Sequence, residues 1–265
     1  MLQLMDLPLK KYSIVGEKVT EKKKWWVPIL NRTLDFVFTS FCPICDGQVF
    51  KDGYSYVCQE CLDTLAWVRD TRCKLCGIPM SGVDFQGLTC ASCREENLLF
   101  DEGRCLFVME ERSRNLIHDI KYHGARMILR DMPSWIDRSP GFREYLEGMV
   151  LVPVPLHRRR LGSRGFNQSE WIAHAFRKAI GPSVEVINAL KRTKNTPTQT
   201  ELDRAQRKAN MKNAFALKRK IHLRKEDRIM LIDDVFTTGA TLNACAEVLR
   251  EAGFNRISIA TLGHG

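Results

Sequence analysis

Eight of the ten cysteines in the chain form four C-x-x-C pairs. Successive pairs are separated by 12, 11 and 13 residues. Two such pairs supply the four thiolates of a closed tetrahedral zinc site, and soft sulfur ligands select zinc over harder cations. The pattern therefore predicts a cysteine-rich module over residues 42–95 that holds two structural zinc ions. The predicted ligands are Cys42, Cys45, Cys58, Cys61, Cys73, Cys76, Cys90 and Cys93.

The pairing of these cysteines has more than one solution. We favour sequential pairing, in which the first four cysteines bind one ion and the last four bind the other, while interleaved pairing remains open. Disulfides would need an oxidising compartment, which nothing in the sequence indicates, and four copies argue against a redox-active C-x-x-C. Cys105 and Cys245 fall in a predicted strand and a predicted helix, so we expect ordinary buried thiols.

The 265-residue chain, 44% hydrophobic, is long enough for one sizeable core beside this module. It contains no run of about 18 uncharged apolar residues and no signal-peptide pattern, so a cytoplasmic protein is expected. The formal net charge of +10 favours polyanionic partners.

The first residues of the chain have a different character. Residues 1–25 are polar and lysine-rich, which predicts a flexible basic arm. Apolar residues spaced by three and four over residues 26–41 predict an amphipathic helix that packs on the rest of the protein. Because Trp25 and Trp26 follow several lysines, peripheral contact with the inner face of the membrane is the alternative.

Strand patterns and helix patterns alternate over residues 96–265. Strands are predicted at 104–110, 149–157, 183–190, 228–235 and 256–262, and helices at 112–124, 125–137, 166–181 and 241–253. Such alternation predicts an α/β fold, in which a parallel sheet carries helices on both faces.

The stretch "LIDDVFTTGAT" joins a predicted strand to a predicted helix. In parallel sheets, ligands bind at such carboxyl ends of strands. The small residues allow backbone amides to surround an anion, the hydroxyls of Thr237, Thr238 and Thr241 add donors, and the helix presents its positive end. Asp233 and Asp234 would repel a phosphate, so we expect them to face ribose hydroxyls or a divalent cation. A sugar phosphate fits both halves of the stretch.

A second polar stretch, "VPVPLHRRRLGSRG", follows another predicted strand. Its cationic side chains are suitable donors for a pyrophosphate group. They are His157, Arg158, Arg159, Arg160 and Arg164.

"LIDDVFTTGAT" resembles the loop that binds phosphoribosyl pyrophosphate (PRPP) in type I phosphoribosyltransferases. The resemblance implies that Asp233 and Asp234 are the catalytic acidic pair that holds the ribose hydroxyls, and that magnesium binds together with PRPP. It implies that the 5-phosphate is held by Thr237, Thr238, Gly239, Ala240 and Thr241.

The motifs together resemble the ComF family of competence-associated proteins, which join a zinc ribbon to a phosphoribosyltransferase domain. The motifs are the cysteine module, "LIHDIKYHG", "VPVPLH", "RGFNQSE", "RTKNTPTQTELDRAQRKANMKNAF" and "LIDDVFTTGAT". The resemblance implies a type I phosphoribosyltransferase-like sheet, a role in DNA uptake during natural transformation, and a position for Lys121 near the pyrophosphate. A helicase-like translocase is one partner that the zinc module would suit.

In type I phosphoribosyltransferases a flexible flap closes over the site, and the resemblance makes the polar segment over residues 193–215, which precedes the PRPP strand, the candidate for it. Ten lysines and arginines lie between residues 204 and 228, which also suits the backbone of single-stranded DNA. Two further functions stay open, namely a metabolic phosphoribosyltransferase with an unknown acceptor and a PRPP-binding scaffold without catalysis. No residue pattern names a base for an acceptor.

Overall fold

A computed structural model of the chain describes residues 40–49, 55–69, 71–80, 89–194 and 213–265. The basic arm, most of the predicted amphipathic helix and the centre of the candidate flap lie outside these residues. At the end of that predicted helix, Ser40–Phe41 form a strand that pairs antiparallel with Gln48–Val49. The strand arises because the first C-x-x-C turn folds back here, where the Cys42 N–H donates to the Gly47 carbonyl at 2.8 Å.

The described residues form nine strands. They are Ser40–Phe41 (β1), Gln48–Val49 (β2), Glu102–Val108 (β3), Val150–Pro153 (β4), Glu185–Val186 (β5), Leu190–Arg192 (β6), Phe215–Leu217 (β7), Ile229–Phe236 (β8) and Ile257–His264 (β9). Five of them form one parallel sheet in the order β3-β9-β8-β4-β5. The predicted parallel α/β sheet is therefore confirmed.

Two predicted strands are shorter in the structure than their apolar patterns suggested. The strand predicted over 149–157 spans only Val150–Pro153, and the Val154 N–H makes one more bond to β8 by donating to the Ile232 carbonyl at 2.9 Å. Neither Pro153 nor Pro155 has an N–H to donate to a sheet ladder. The strand predicted over 183–190 is divided between β5 and β6, and β6 leaves the main sheet to pair antiparallel with β7. A turn at Ala189, whose N–H donates to the Ile187 carbonyl at 2.9 Å, makes this division.

Eight α-helices and one 3₁₀ helix lie in the described residues. The α-helices are Gln59–Thr64 (α1), Ala91–Arg94 (α2), Glu111–Tyr122 (α3), Met132–Asp137 (α4), Phe142–Leu146 (α5), Arg158–Arg164 (α6), Gln168–Ile180 (α7) and Ala240–Glu251 (α8). The helix predicted over 125–137 is a 3₁₀ helix, Arg126–Asp131, followed by α4, because Pro133 favours a new helix start. In this described part of the chain, none of the helices is both long and apolar enough to span a membrane.

Alternate residues of β8 face two separate cores. Met230 and Ile232 pack with apolar residues of α3 and α7, whereas Ile229 and Leu231 pack with those of α8. The period of two in a strand assigns neighbouring side chains to opposite faces of the sheet. The structure thus confirms that helices cover both faces.

The segment between the two halves of the cysteine module lies against the edge strand β3. The Val68 N–H donates to the Leu106 carbonyl, and the Val108 N–H donates to the Ala66 carbonyl, each at 2.8 Å. This pairing covers an edge that would otherwise present unpaired backbone groups. The cysteine module and the sheet are therefore joined by backbone hydrogen bonds.

Candidate functional site

A cavity of about 500 Å³ opens at the carboxyl ends of β4 and β8. Residues from α3, α6, α7, β6 and the β8–α8 loop line it. Among the residues that the sequence analysis singled out, the lining includes Lys121, Arg160, Arg164, Asp233, Asp234, Thr237, Thr238, Gly239, Ala240 and Thr241. The predicted ribose-phosphate elements therefore meet in one cavity.

Asp234 is buried and has a partner on each carboxylate oxygen. Its exposed fraction is 4%. The Lys121 ammonium lies 3.1 Å from Oδ1, and the Gln168 side-chain amide donates to Oδ2 at 3.0 Å. A buried carboxylate is unfavourable without hydrogen-bond partners, and these two contacts fix the orientation of Asp234.

Asp233 lies beside it and is partly exposed to the cavity. The Ser169 hydroxyl and the Asp234 N–H both donate to its Oδ1, each at 2.9 Å. Burial, and then the neighbouring carboxylate of Asp234, raise the pKa of Asp233 to about 7, although Lys121 opposes the shift. The pair therefore binds and releases a proton near neutral pH unless a cation or ligand donor stabilises its second charge.

Lys121 remains protonated beside this pair. Burial lowers its pKa, but the carboxylates of Asp234 and Asp233 outweigh burial, so the pKa of Lys121 is raised above its ordinary value. Its position follows from α3, where Ile117 and Ile120 are buried against the sheet. The side chain at the last turn of this helix consequently reaches the end of β8.

The start of α7 places two further polar side chains under the acidic pair. Asn167 caps the helix by accepting from the Ser169 N–H at 3.2 Å, and its own amide donates to the Val154 carbonyl at 3.0 Å. The helix start is thus tied to the end of β4, which brings Gln168 and Ser169 to the carboxylates. In "RGFNQSE" the polar residues at a helix start after a strand are the sequence signal for these two positions, to which no role was predicted.

Arg164 extends this network to the mouth of the cavity. Its guanidinium donates to the Gln168 side-chain oxygen at 2.7 Å and lies 4.9 Å from the centre of the Tyr122 ring. A continuous polar chain therefore runs from Arg164 through Gln168 and Asp234 to Lys121. Such a chain holds two cations near the acidic pair at fixed positions.

Three residues predicted to bind pyrophosphate do not line the cavity: His157, Arg158 and Arg159. The arginine run folds as α6, and the His157 imidazole caps it by accepting from the Arg159 N–H at 3.3 Å. Residues four apart share one face of a helix, so Arg160 and Arg164 reach the cavity while Arg158 and Arg159 remain exposed.

Arg192 of β6 also lines the cavity, although no sequence motif predicts a role for it. Burial and then the nearby Arg160 lower its pKa from the ordinary arginine value. A single arginine at the end of a short strand carries no motif, so only the folded arrangement shows its position.

The β8–α8 loop has the geometry of an anion-binding helix start. Gly239 has a φ of 71°, and a Cβ at this residue would lie 2.7 Å from Cζ of Phe236, so glycine is required. Helix α8 begins at the next residue, and the Gly239 position provides no side-chain cap. Backbone amides at the helix start, together with the hydroxyls of Thr237 and Thr238, can therefore surround a phosphate.

The eight cysteines form two groups of four in the sequential arrangement. In each group the four sulfur atoms lie within 4.8 Å of one another. The Sγ atoms of Cys45 and Cys58 are 3.8 Å apart, as are those of Cys76 and Cys90. Zn–S bonds of about 2.3 Å in a tetrahedron place neighbouring sulfurs about 3.8 Å apart, whereas a disulfide needs about 2.05 Å. The two tetracysteine groups thus support structural zinc.

The other two cysteines are buried thiols, as expected. Cys105 and Cys245 have no exposed surface. Burial raises the pKa of Cys105 to about 12 and also raises that of Cys245, so both are protonated and unreactive at neutral pH.

Comparison with known families finds two matches in the chain. Residues 33–94 match the double zinc ribbon domain, and residues 172–264 match the phosphoribosyl transferase domain. The second match includes the acidic pair and the threonine loop, whereas Lys121 and Gln168 precede it.

Three relatives are similar over most of the chain. Competence protein F of Haemophilus influenzae is 27% identical over 237 residues, which cover 84% of this chain and 96% of the relative. Competence protein ComFC of Bacillus subtilis is 26% identical over 230 residues, which cover 80% and 89%. DNA utilization protein YhgH of Escherichia coli K12 is 26% identical over 211 residues, which cover 78% and 89%. The domain matches and the relatives confirm the resemblance to the ComF family.

Proposed function

Since this chain joins a double zinc ribbon to a phosphoribosyltransferase domain, as the ComF family does, we propose that it binds PRPP with magnesium and acts in DNA handling. One observation carries the proposal. Asp233 and Asp234 stand between the threonine loop and the cation of Lys121, within one cavity of about 500 Å³. The phosphate donors, the carboxylates and the cation follow one another in the same order as the 5-phosphate, the ribose hydroxyls and the pyrophosphate of PRPP.

Each part of the ligand has residues suited to it. The 5-phosphate accepts hydrogen bonds from the β8–α8 loop, and the ribose hydroxyls donate to the acidic pair. The pyrophosphate lies toward Lys121, Arg160 and Arg164, whose charges balance its own. Magnesium would supply further positive charge at the pyrophosphate, and the oxygen atoms of Asp233 and Asp234 are ligands of the type it prefers.

Binding of PRPP is tested directly by calorimetric titration of the zinc-loaded protein in magnesium. We expect saturable binding that raises the melting temperature, and loss of both effects in the double variant Asp233→Ala/Asp234→Ala. Asp137→Ala is the matched control, because Asp137 is an exposed aspartate that pairs with Arg143 at 3.0 Å. Absence of binding by the unmutated protein would overturn the proposal.

Contact with single-stranded DNA is the second part of the proposal. Lys218, Arg219 and Lys220 are exposed just after β7, within a chain of net charge +10. Backbone contacts of this kind are electrostatic, so binding should weaken steeply as salt rises.

The DNA proposal is tested with the triple variant Lys218→Ala/Arg219→Ala/Lys220→Ala. If all three side chains contact phosphates, the plot of log affinity against log salt concentration becomes shallower, and the magnitude of its slope decreases by about 2. Arg177→Ala/Lys178→Ala is the control, because it removes exposed charge at the end of α7. Its salt dependence should stay close to that of the unmutated protein. No binding at low salt by the unmutated protein would refute this contact.

A further inference from the structure

The exposed side of α3 ends in a cluster of two imidazoles and a carboxylate that the proposed function does not use. The residues are His118, Asp119 and His123, and none of the three lines the ribose-phosphate cavity. One ring nitrogen of each histidine and one carboxylate oxygen all lie within 4.8 Å of one another. Two imidazoles and a carboxylate are a suitable ligand set for a divalent transition-metal ion.

The carboxylate lies close to both rings. Oδ1 of Asp119 is 2.9 Å from Nδ1 of His123 and 3.9 Å from Nδ1 of His118. The two ring centroids are 5.0 Å apart, and the ring planes are inclined at 82°. Ligand atoms at about 2.1 Å from a tetrahedral ion are about 3.4 Å from one another. Small rotations of exposed side chains therefore bring the three ligand atoms around one ion.

The backbone at the end of α3 keeps the three residues together. Residues four apart share one face of a helix, which places Asp119 beside His123. His123 is the C-cap of α3, and its N–H donates to the Asp119 carbonyl at 3.1 Å. Gly124 follows with a φ of 65°, which ends the helix and turns the chain away. The cluster is therefore built on a helix end and its cap.

The charges around the cluster favour a cation. The C-terminal end of a helix carries partial negative charge, to which the carboxylate of Asp119 adds. In the part of the chain that the structure describes, Asp119 forms ion pairs with the two histidines and with no lysine or arginine. The nearby Lys121 ammonium lies instead at Asp234, 3.1 Å from its carboxylate. The negative charge of Asp119 therefore remains available to a metal ion.

We propose that His118, Asp119 and His123 bind one exchangeable divalent ion of the zinc, nickel or copper type, in addition to the two ions of the tetracysteine groups. Imidazole nitrogen favours such ions over magnesium, which prefers oxygen ligands. The side chains of His118 and His123 are 56% and 65% exposed, so water can occupy the remaining coordination positions. An ion held in this way exchanges readily, and protein purified without added metal retains only its two tetracysteine ions.

The bound ion joins the last turn of α3 to the residue that ends the helix. Tyr122 lies in the same turn, and the centre of its ring is 4.8 Å from that of the His118 ring. A ligand that binds only the folded state stabilises it, so saturating metal should raise the melting temperature. Since the three ligands do not line the ribose-phosphate cavity, this inference does not rest on the proposed function.

The test uses full-length, zinc-loaded protein without a histidine tag, and calorimetric titration with nickel chloride in a buffer that contains magnesium. We expect saturable binding of one nickel ion per chain. His118→Ala/His123→Ala should weaken this binding about tenfold or more, since the loss of an outer-shell partner alone costs about 10–100-fold. His174→Ala/His222→Ala is the matched control, because it removes two exposed imidazoles elsewhere and should bind nickel normally. Equal nickel affinity of His118→Ala/His123→Ala and the unmutated protein would overturn the inference.

Asp119→Asn tests the carboxylate ligand. The variant keeps the shape of the side chain and removes its charge, so we expect nickel affinity to fall about tenfold or more. Asp137→Asn is the matched control, because it removes the charge of another exposed aspartate and should leave nickel affinity unchanged. Equal affinity of Asp119→Asn and the unmutated protein would contradict the three-ligand site.

Two measurements on the unmutated protein keep the test decisive if the variants fold poorly. The ring ¹⁵N shifts of His118 and His123 should move on addition of zinc while those of His174 and His222 stay, and unchanged shifts of His118 and His123 would overturn the inference. Added cobalt should bind without thiolate-to-cobalt charge-transfer absorption, whose appearance would place the ion in a tetracysteine group and contradict the site. PRPP binding without nickel binding would refute this inference alone, and nickel binding without PRPP binding would refute the proposed function alone.

Discussion

Gln168 donates a hydrogen bond from Nε2 to Oδ2 of Asp234 over 3.0 Å, and both side chains are buried. Lys121 occupies the other carboxylate oxygen at 3.1 Å, so Asp234 has both partners in the protein itself. Asp233 is the more exposed member of the pair. We infer that Asp234 is a fixed support of the site and that Asp233 makes the first contact with a ligand.

Gln168→Met tests the support of Asp234. The variant keeps the length of the side chain and removes its donor, so a buried carboxylate loses one partner. We expect a loss of about 2 kcal/mol in the free energy of unfolding and a weaker affinity for PRPP. Urea unfolding and calorimetric titration measure the two effects.

Gln59→Met is the matched control for this change. Gln59 also donates to an aspartate, Asp63, at 2.8 Å, but on an exposed helix surface. Exposed pairs of this kind contribute roughly 0.2–0.5 kcal/mol. Equal losses of stability in the two variants would contradict the buried role of Gln168.

Arg164 and Arg159 lie on different faces of α6, so substitutions at the two residues test which face contacts the ligand. Arg164 lines the cavity and donates to Gln168, whereas Arg159 is exposed and does not line it. Arg164→Ala should weaken PRPP binding about tenfold, because a charged donor near the pyrophosphate is lost. Arg159→Ala should stay near the unmutated affinity, and a larger loss in Arg159→Ala than in Arg164→Ala would show that the helix face is wrongly assigned.

Local patterns predicted the parts of the site that lie within one stretch of chain. The four apolar residues before Asp233 predicted β8, and the glycine and threonines after Asp234 predicted the loop at its end. The regular spacing of the cysteines predicted two metal groups in the same way. These features depend on neighbours in the sequence, so the folded chain retains them.

Contacts between distant segments could not be predicted. Gln168 and Asp234 are 66 residues apart in sequence, and Ser169 and Asp233 are 64 apart. Which residues of an arginine run face a cavity depends on whether the run is helical, and "HRRRLGSRG" has no apolar period that indicates α6. Likewise, β6 pairs with β7 across the segment 193–214, and no local pattern specifies that partner.

Asp233→Asn tests the raised pKa of the acidic pair. The pKa of Asp233 in the folded protein is about 7, against an ordinary value of 3.8. The folded protein therefore binds more protons than the unfolded chain between about pH 4 and 7, so the stability contributed by this group falls as pH rises through that range. Asp233→Asn removes the titration.

Without ligand, Asp233→Asn should have a higher melting temperature than the unmutated protein, and the difference should be larger at pH 8 than at pH 5. Asp137→Asn, at an exposed aspartate, should show nearly the same small difference at both pH values. A difference for Asp233→Asn that does not change with pH would contradict the raised pKa.

Zinc removal should destabilise the sheet as well as the ribbons. The segment at residues 66–68 pairs with β3, and Asp131 accepts from the Tyr56 and Val57 N–H groups at 2.7 and 2.9 Å. We expect two zinc ions per chain by elemental analysis, and a single thermal transition that shifts to lower temperature with a chelator.

Single substitutions assign the two zinc ions to their groups. Cys58→Ser and Cys90→Ser should each reduce the zinc content by about one ion, because each breaks one tetrahedral set. Cys245→Ala, at a buried thiol outside both groups, should keep both ions. Loss of both ions in either serine variant would indicate shared ligands between the groups.

For zinc removal, two separate thermal transitions would show that the ribbons unfold independently of the sheet. The pairing along β3 would then add little to the stability of the sheet.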